Sequence, residues 1–252
     1  MPAPASARGS LYFVSNHPLH SNSHIQSGTV QHRTRSPSQA VATMSPSLDS
    51  PTFQPRFLVV SLGNPPPLRH NRHSAGHVML SATRQLLGST QPLPESIRLG
   101  KKSAEASIGP RYIFLHSPTQ MNDTGPWLAK AYKEILAQER LHPSELGVVI
   151  LHDDLEHSLG AVNTLSWTKS HQGHNGVKSI MGSLSRRSTE APWVRIAIGI
   201  GRPAERDAKT VSEYVMRSFG KRQMELLDEK SEEVLQALEE LEEEWMKRVS
   251  TK

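Results

Sequence analysis

Five short polar clusters hold the side chains of this chain that are equipped for acid–base work. They are Gly63-Asn64-Pro65, Arg72-His73-Ser74-Ala75-Gly76, Met121-Asn122, His152-Asp153-Asp154 and Gly173-His174-Asn175-Gly176. A histidine titrates near pH 6.5 and so can accept a proton from water at neutral pH. An aspartate beside it can fix its tautomer and stabilise the imidazolium that forms. An asparagine carboxamide brings both donors and an acceptor, enough to meet an oxyanion or a peptide group. These residue types suit general acid–base chemistry on a bound substrate. Taken singly, each cluster is more often a turn or a helix cap than a catalyst.

Other chemistries fit less well. The chain has no cysteine, so it carries no disulfide, Cys-type zinc site or cysteine nucleophile. His70, His73 and His77 follow an i, i+3, i+7 spacing that a metal-dependent hydrolase could use. No His-Glu-x-x-His motif accompanies them, and His70 sits in a proline-rich loop, so neither a metal nor another cofactor is expected. His171 reads most simply as loop polarity. Gly199-Ile200-Gly201 lacks the third glycine of a dinucleotide fingerprint, because Ala204 stands there. There is no Walker loop and no Gly-x-Ser-x-Gly elbow.

The clusters need elements to position them. Residues 57–62 and 148–151 are short apolar runs of the kind that form buried strands, and polar groups follow both. Residues 104–108, 112–115, 161–167 and 194–200 read as further strands. Val78, Met79, Ala82 and Leu86 share a helical face that Gly88 can end. Asp123 is placed to cap a helix running to Glu139. A helix carrying Val177, Ile180 and Leu184 should open at the Gly173–Gly176 cluster, and Met224 to Trp245 should stripe one long final helix. Strands alternating with helices imply an α/β fold: a single-domain, three-layer α/β/α sandwich with a mostly parallel mixed sheet. In such sheets ligands sit at the carboxyl ends of the strands.

The charge is uneven. Residues 225–244 carry ten acidic side chains and one lysine, a net −9 that belongs on a solvated helix face. The whole chain is +5, so the remainder stands at +14, which favours an anionic partner such as nucleic acid. No apolar run is long enough to span a bilayer. Residues 1–55 are rich in Ser, Pro, His and Gln, hold three arginines and lack an acidic residue before Asp49. That composition reads as a disordered or targeting extension, with residues 56–252 as the catalytic domain. It suits a mitochondrial protein. A cytoplasmic one, with a disordered tail or a true start at Met44, is the alternative.

From residue 57 to about 240 the chain resembles bacterial-type peptidyl-tRNA hydrolase, in its eukaryotic and mitochondrial branch. The resemblance rests on VVSLGNP, RHSAGH, SPTQMNDTG, ILHDDLE, GHNGVKS and VRIAIGIGRP, which occur in the family's order. It implies His73 as the catalytic histidine and Asp153 as its orienting aspartate. It also implies substrate-binding roles for Asn64, Asn122 and Asn175, and a tRNA phosphate contact at Arg195. Lys169 and Lys178, with Arg186 and Arg187, are further candidates for the phosphates. The implied substrate is peptidyl-tRNA, and a monomer is expected. The chain also departs from the family. Ser74 replaces a usual asparagine, and Asn64-Pro65 is followed by Pro66 rather than glycine. The loop tyrosine is missing, with Leu68 and Arg69 in its place. The strand that should bear the phosphate lysine reads Leu165-Ser166-Trp167-Thr168-Lys169, which leaves Lys169 as the candidate there. A non-catalytic RNA-binding relative of the same fold is the rival, and the complete His73, Asp153, Asn64, Asn122 and Asn175 set argues against it.

Overall fold

In a computed structural model of the chain, residues 53–185 and 191–251 are described. The extension expected over residues 1–55 lies almost wholly outside them, as do Arg186 and Arg187. The frame is a seven-stranded sheet in the order β2-β3-β4-β1-β5-β7-β6. Its strands are β1 (Arg56–Ser61), β2 (Glu95–Leu99), β3 (Lys102–Ile108), β4 (Tyr112–His116), β5 (Leu146–Asp154), β6 (Val162–Ser166) and β7 (Trp193–Gly199). The central strands β4, β1, β5 and β7 run parallel. The flanking pairs β2–β3, β3–β4 and β6–β7 are antiparallel. The sheet is therefore mixed, with a parallel heart.

Alternation along β1 explains the layers. Leu58 and Val60 join one apolar cluster, in which Leu128, Tyr132, Val177 and Ile180 pack from helices α2 (Thr124–Gln138) and α3 (Asn175–Ser183). Phe57 and Val59 face the opposite way. They meet Met79 and Leu80 of α1 (Ala75–Leu86) and Val234, Leu238 and Trp245 of α6 (Ser231–Ser250). β5 is buried along its whole length, as a strand covered on both faces must be. This is the expected three-layer sandwich.

Some local expectations are corrected. The long final helix is interrupted at Lys230, giving α5 (Lys221–Glu229) and then α6. β2 and the helix α4 (Ala208–Met216) carry no clear sequence signal. β2 is an edge strand with mostly exposed side chains, and α4 buries no residue fully, so neither needs a strong apolar pattern. Leu86, placed on the buried face of α1 by its spacing, is exposed at the last turn. Asp123 stands at the start of α2 but makes no side-chain cap.

Candidate active site

β1, β4, β5 and β7 deliver their carboxyl ends to one edge, and four of the five polar clusters follow those ends or finish β5. Asn64 lies three residues beyond β1. His73 sits in a single 3-10 turn, Arg72–Ser74, that leads into α1. Asn122 occupies a similar turn after β4, Met121–Asp123. Asp153 is the penultimate residue of β5. His174 and Asn175 begin α3. Glycine makes the approach of these elements possible. A Cβ on Gly76 would stand 2.5 Å from the Leu151 carbonyl oxygen and 2.7 Å from that of Leu62. The start of α1, with His73 just ahead of it, therefore rests directly on β5 at Leu151 and on Leu62, the residue that follows β1.

The centre of the site is Asp153. Its Oδ1 lies 2.9 Å from His73 Nδ1, and its Oδ2 lies 3.1 Å from the same nitrogen. His174 Nε2 reaches Oδ1 at 2.9 Å from the other side. The backbone N–H of Val177 donates to His174 Nδ1 at 3.3 Å, so His174 both caps α3 and has its proton on Nε2, where it donates to Asp153. His73 likewise donates through Nδ1, which leaves Nε2 as its basic nitrogen. The adjacent carboxylates divide the work, because alternate strand residues face opposite ways. Asp154 turns to the following loop, accepting from the Glu156 N–H at 2.8 Å and contacting His157 Nδ1 at 3.0 Å.

The electrostatics follow from this arrangement. Burial alone would raise the Asp153 carboxyl, but the charges and hydrogen bonds of His73 and His174 hold it well below the usual carboxylate range. Burial pulls the His73 imidazole down. The charge and hydrogen bond of Asp153 outweigh that pull and leave it above 6.5. His152 behaves differently. It is buried, with His174 beside it, and is held down at about 3, so it is neutral. Its Nδ1–H donates to the Asp153 carbonyl at 2.8 Å, and its ring meets the His174 ring edge-on at 5.2 Å.

A cleft of about 600 Å³ opens over these groups. His73, Asp153, Asn175, Arg195 and Met216 all line it. Asn64 is buried beside it. Its backbone N–H donates to Ser74 Oγ at 2.9 Å, and its side-chain amide faces Met216 Sδ at 3.6 Å. Ser74, the departure from the family's asparagine, thus positions Asn64. Asn122 is exposed, and its carbonyl accepts from Ser179 Oγ at 2.7 Å. Arg195 is only 1% exposed. Its Nη2 donates to the carbonyls of Lys169 at 2.5 Å and Ser170 at 3.4 Å, so the guanidinium braces the loop before α3 from the cleft floor. Lys169 and Lys178 are exposed and lie outside the cleft lining. His70, His73 and His77 do not converge: His77 is buried with Ser61 and His116, at 2.7 Å from Ser61 Oγ.

His174 and Met216 carry no assigned role in the sequence reading. His174 stands 21 residues from Asp153, so no local spacing signals their contact. The signal available was its position one residue before a helix, where a side chain must accept from the backbone.

The fold and cleft define an α/β domain with a histidine–carboxylate–histidine centre at the strand ends. The family model for peptidyl-tRNA hydrolase matches residues 58–252. A peptidyl-tRNA hydrolase of Corynebacterium diphtheriae is 33% identical over 171 residues, covering 66% of this chain and 84% of the relative. One of Geobacter sulfurreducens is 32% identical over 186 residues, covering 73% and 88%. A crystal structure of peptidyl-tRNA hydrolase from Acinetobacter baumannii superposes with a TM-score of 0.58 at 22% identity, covering 77% of this chain and 91% of that one, and bears on the fold. The chain belongs to the peptidyl-tRNA hydrolase family.

Proposed function

We propose that this protein hydrolyses the ester bond between peptide and tRNA in peptidyl-tRNA, releasing free peptide and free tRNA. The observation that carries this reading is the His73–Asp153 pair on the wall of the cleft, in a chain of this family. In the proposed reaction, His73 Nε2 takes a proton from a water as its oxygen attacks the ester carbonyl. Asp153 accepts from Nδ1 throughout and stabilises the imidazolium. Asparagine carboxamides, Asn64 and Asn175 first among them, meet the peptide and the developing oxyanion. The imidazolium then returns its proton to the departing ribose oxygen. The basic body supports binding of the tRNA backbone, which an enzyme serving every tRNA should contact in preference to base edges. Asn122, Arg195, Lys169 and Lys178 complete the proposed substrate contacts.

The direct test is to incubate purified protein with a short peptidyl-tRNA and follow ester cleavage. A second reading has its own observation: ligand atoms of His73, Asp153 and His174 lie within 4.8 Å of one another, a set that could hold a metal ion. EDTA separates the two. Unchanged cleavage supports the metal-free route, whereas loss restored by zinc supports a metallo-hydrolase. We also propose a mitochondrial location and a monomeric state. A reporter fused to residues 1–55 tests the first, and light scattering of the full chain tests the second.

A further inference from the structure

Met216 ends α4 and forms part of the cleft wall, with 39% of its surface exposed. Its sulfur is the acceptor for two buried carboxamides, Asn64 Nδ2 and Asn71 Nδ2, each at 3.6 Å. A thioether is a weak acceptor. A peptide carbonyl entering the cleft can therefore displace it from Asn64 at little cost. Met216 cannot swing far, because the segment that follows it is stitched to the His73 turn. Arg72 N–H donates to the Arg217 carbonyl at 3.0 Å, and Phe219 N–H donates to the His70 carbonyl at 3.0 Å. The Arg72 guanidinium donates to the carbonyls of Arg217 and Ser218 at 3.2 Å each and lies over the Tyr214 ring at 4.7 Å.

We infer that Met216 is an oxidative modification site, at which a hydroperoxide converts a displaceable plug on Asn64 and Asn71 into a firm one. The inference rests on the reading that Asn64 binds the peptidyl end of the substrate. In the chemical step, the sulfur lone pair attacks one peroxide oxygen. An S–O bond forms, the O–O bond breaks, sulfur gives up two electrons, and hydrogen peroxide leaves as water. The sulfoxide oxygen is a strong acceptor placed on the sulfur that already faces both amides. It holds the Asn64 carboxamide against α4 and withholds it from substrate. A reductase that returns sulfoxide to thioether reverses the effect. Met246, equally exposed at 39% but on α6 and away from the cleft, is an internal comparison.

The experiment treats the full chain with graded hydrogen peroxide. It follows sulfoxide by peptide mass spectrometry, the side-chain amides of Asn64 and Asn71 by ¹⁵N NMR, and cleavage of a short peptidyl-tRNA. Met216 and Met246 should oxidise ahead of the buried Met79 and Met121. Both asparagine amides should shift, and KM should rise roughly tenfold, the scale of one or two net hydrogen bonds. Methionine sulfoxide reductase should restore the starting KM. Each variant is compared with its own untreated sample: Met216→Leu should show no peroxide response, and Met246→Leu should respond as the parent does. Resistance of Met216 to oxidation, unshifted amides despite its oxidation, or a full KM response in Met216→Leu would each overturn the inference. If the untreated protein leaves peptidyl-tRNA intact, the proposed function fails instead, and the amide shifts still decide whether the sulfoxide engages Asn64 and Asn71.

Discussion

His174 Nε2 stands 2.9 Å from Asp153 Oδ1, the same oxygen that His73 Nδ1 reaches at 2.9 Å. One carboxylate oxygen therefore serves two imidazoles, and one of those imidazoles is also a helix cap. The start of α3 and the proposed catalytic base are tied through a single atom.

Replacing His174 separates its two duties. His174→Ala should lose the cap of α3, worth about 1 kcal/mol, together with a hydrogen bond to a charged acceptor worth about 1.5–3 kcal/mol. His174→Asn should recover the cap but not reach Asp153. Thermal melting should place the asparagine variant above the alanine variant, by the worth of the cap, and below the parent, and turnover should fall roughly tenfold or more in both variants. Full activity in His174→Asn would confine His174 to capping.

The sandwich was legible because β1 and β5 are apolar runs ending in polar groups, and because the stripes of α1, α2 and α3 repeat at helical spacing. His73 and Asp153 were legible only as members of ordered motifs. Contacts between distant segments were not. Nothing local to His174 says that it meets Asp153, and nothing local to Met216 says that it faces Asn64 across 152 residues. Arg195 shows the same limit. The family resemblance implied a phosphate contact for it, whereas the strand that carries it places the guanidinium on backbone carbonyls under the cleft. A phosphate role for it remains a proposal alongside that bracing role. α4 and β2 escaped because elements that bury little need little apolar pattern.

The pH dependence of kcat/KM should carry an acid limb set by His73. Its pKa in the folded protein is raised by Asp153, and the base must be neutral to act. Activity should therefore be flat at higher pH and fall about tenfold per unit below an apparent pKa above 6.5. Asp153→Asn should move that limb to lower pH while cutting turnover by roughly 10³- to 10⁴-fold. An acid limb that stays in place in Asp153→Asn would break the link between the two residues.

Acid stability should follow a second histidine pair, remote from the cleft centre. His77 Nδ1 and His116 Nδ1 lie 3.3 Å apart, and both contact Ser61 Oγ. Burial, with His116 and Arg69 alongside, holds His77 well below 6.5, and burial with Arg69 lowers His116 to about 4, against a smaller opposing pull from Glu105. Folded pKa values below the unfolded one give stability that is complete above pH 6.5 and lost as pH falls toward 4. Urea melts across that window should show a loss of a few kcal/mol, and His116→Gln should reduce it. A parent protein equally stable at both ends would contradict the neutral-pair assignment.

Two glycines should answer alanine in opposite ways. Gly76→Ala drives a Cβ into the carbonyls of Leu151 and Leu62. It should cost about 1–3 kcal/mol and lower activity by lifting the His73 turn off β5 and Leu62. Among the described residues, nothing lies within 4 Å of a Cβ added at Gly182, in α3. Gly182→Ala should stabilise by about 0.5–1 kcal/mol. Calorimetric melting of the two variants reads both signs.

The central claim is that His73 is the base. Single-turnover cleavage of a short peptidyl-tRNA by His73→Ala, beside the parent, tests it most directly, with circular dichroism to confirm that the variant is folded. Cleavage should fall at least ~100-fold while melting stays close to that of the parent. A folded His73→Ala that keeps more than about a tenth of the parent rate would contradict the assignment, since loss of a general base costs far more than that.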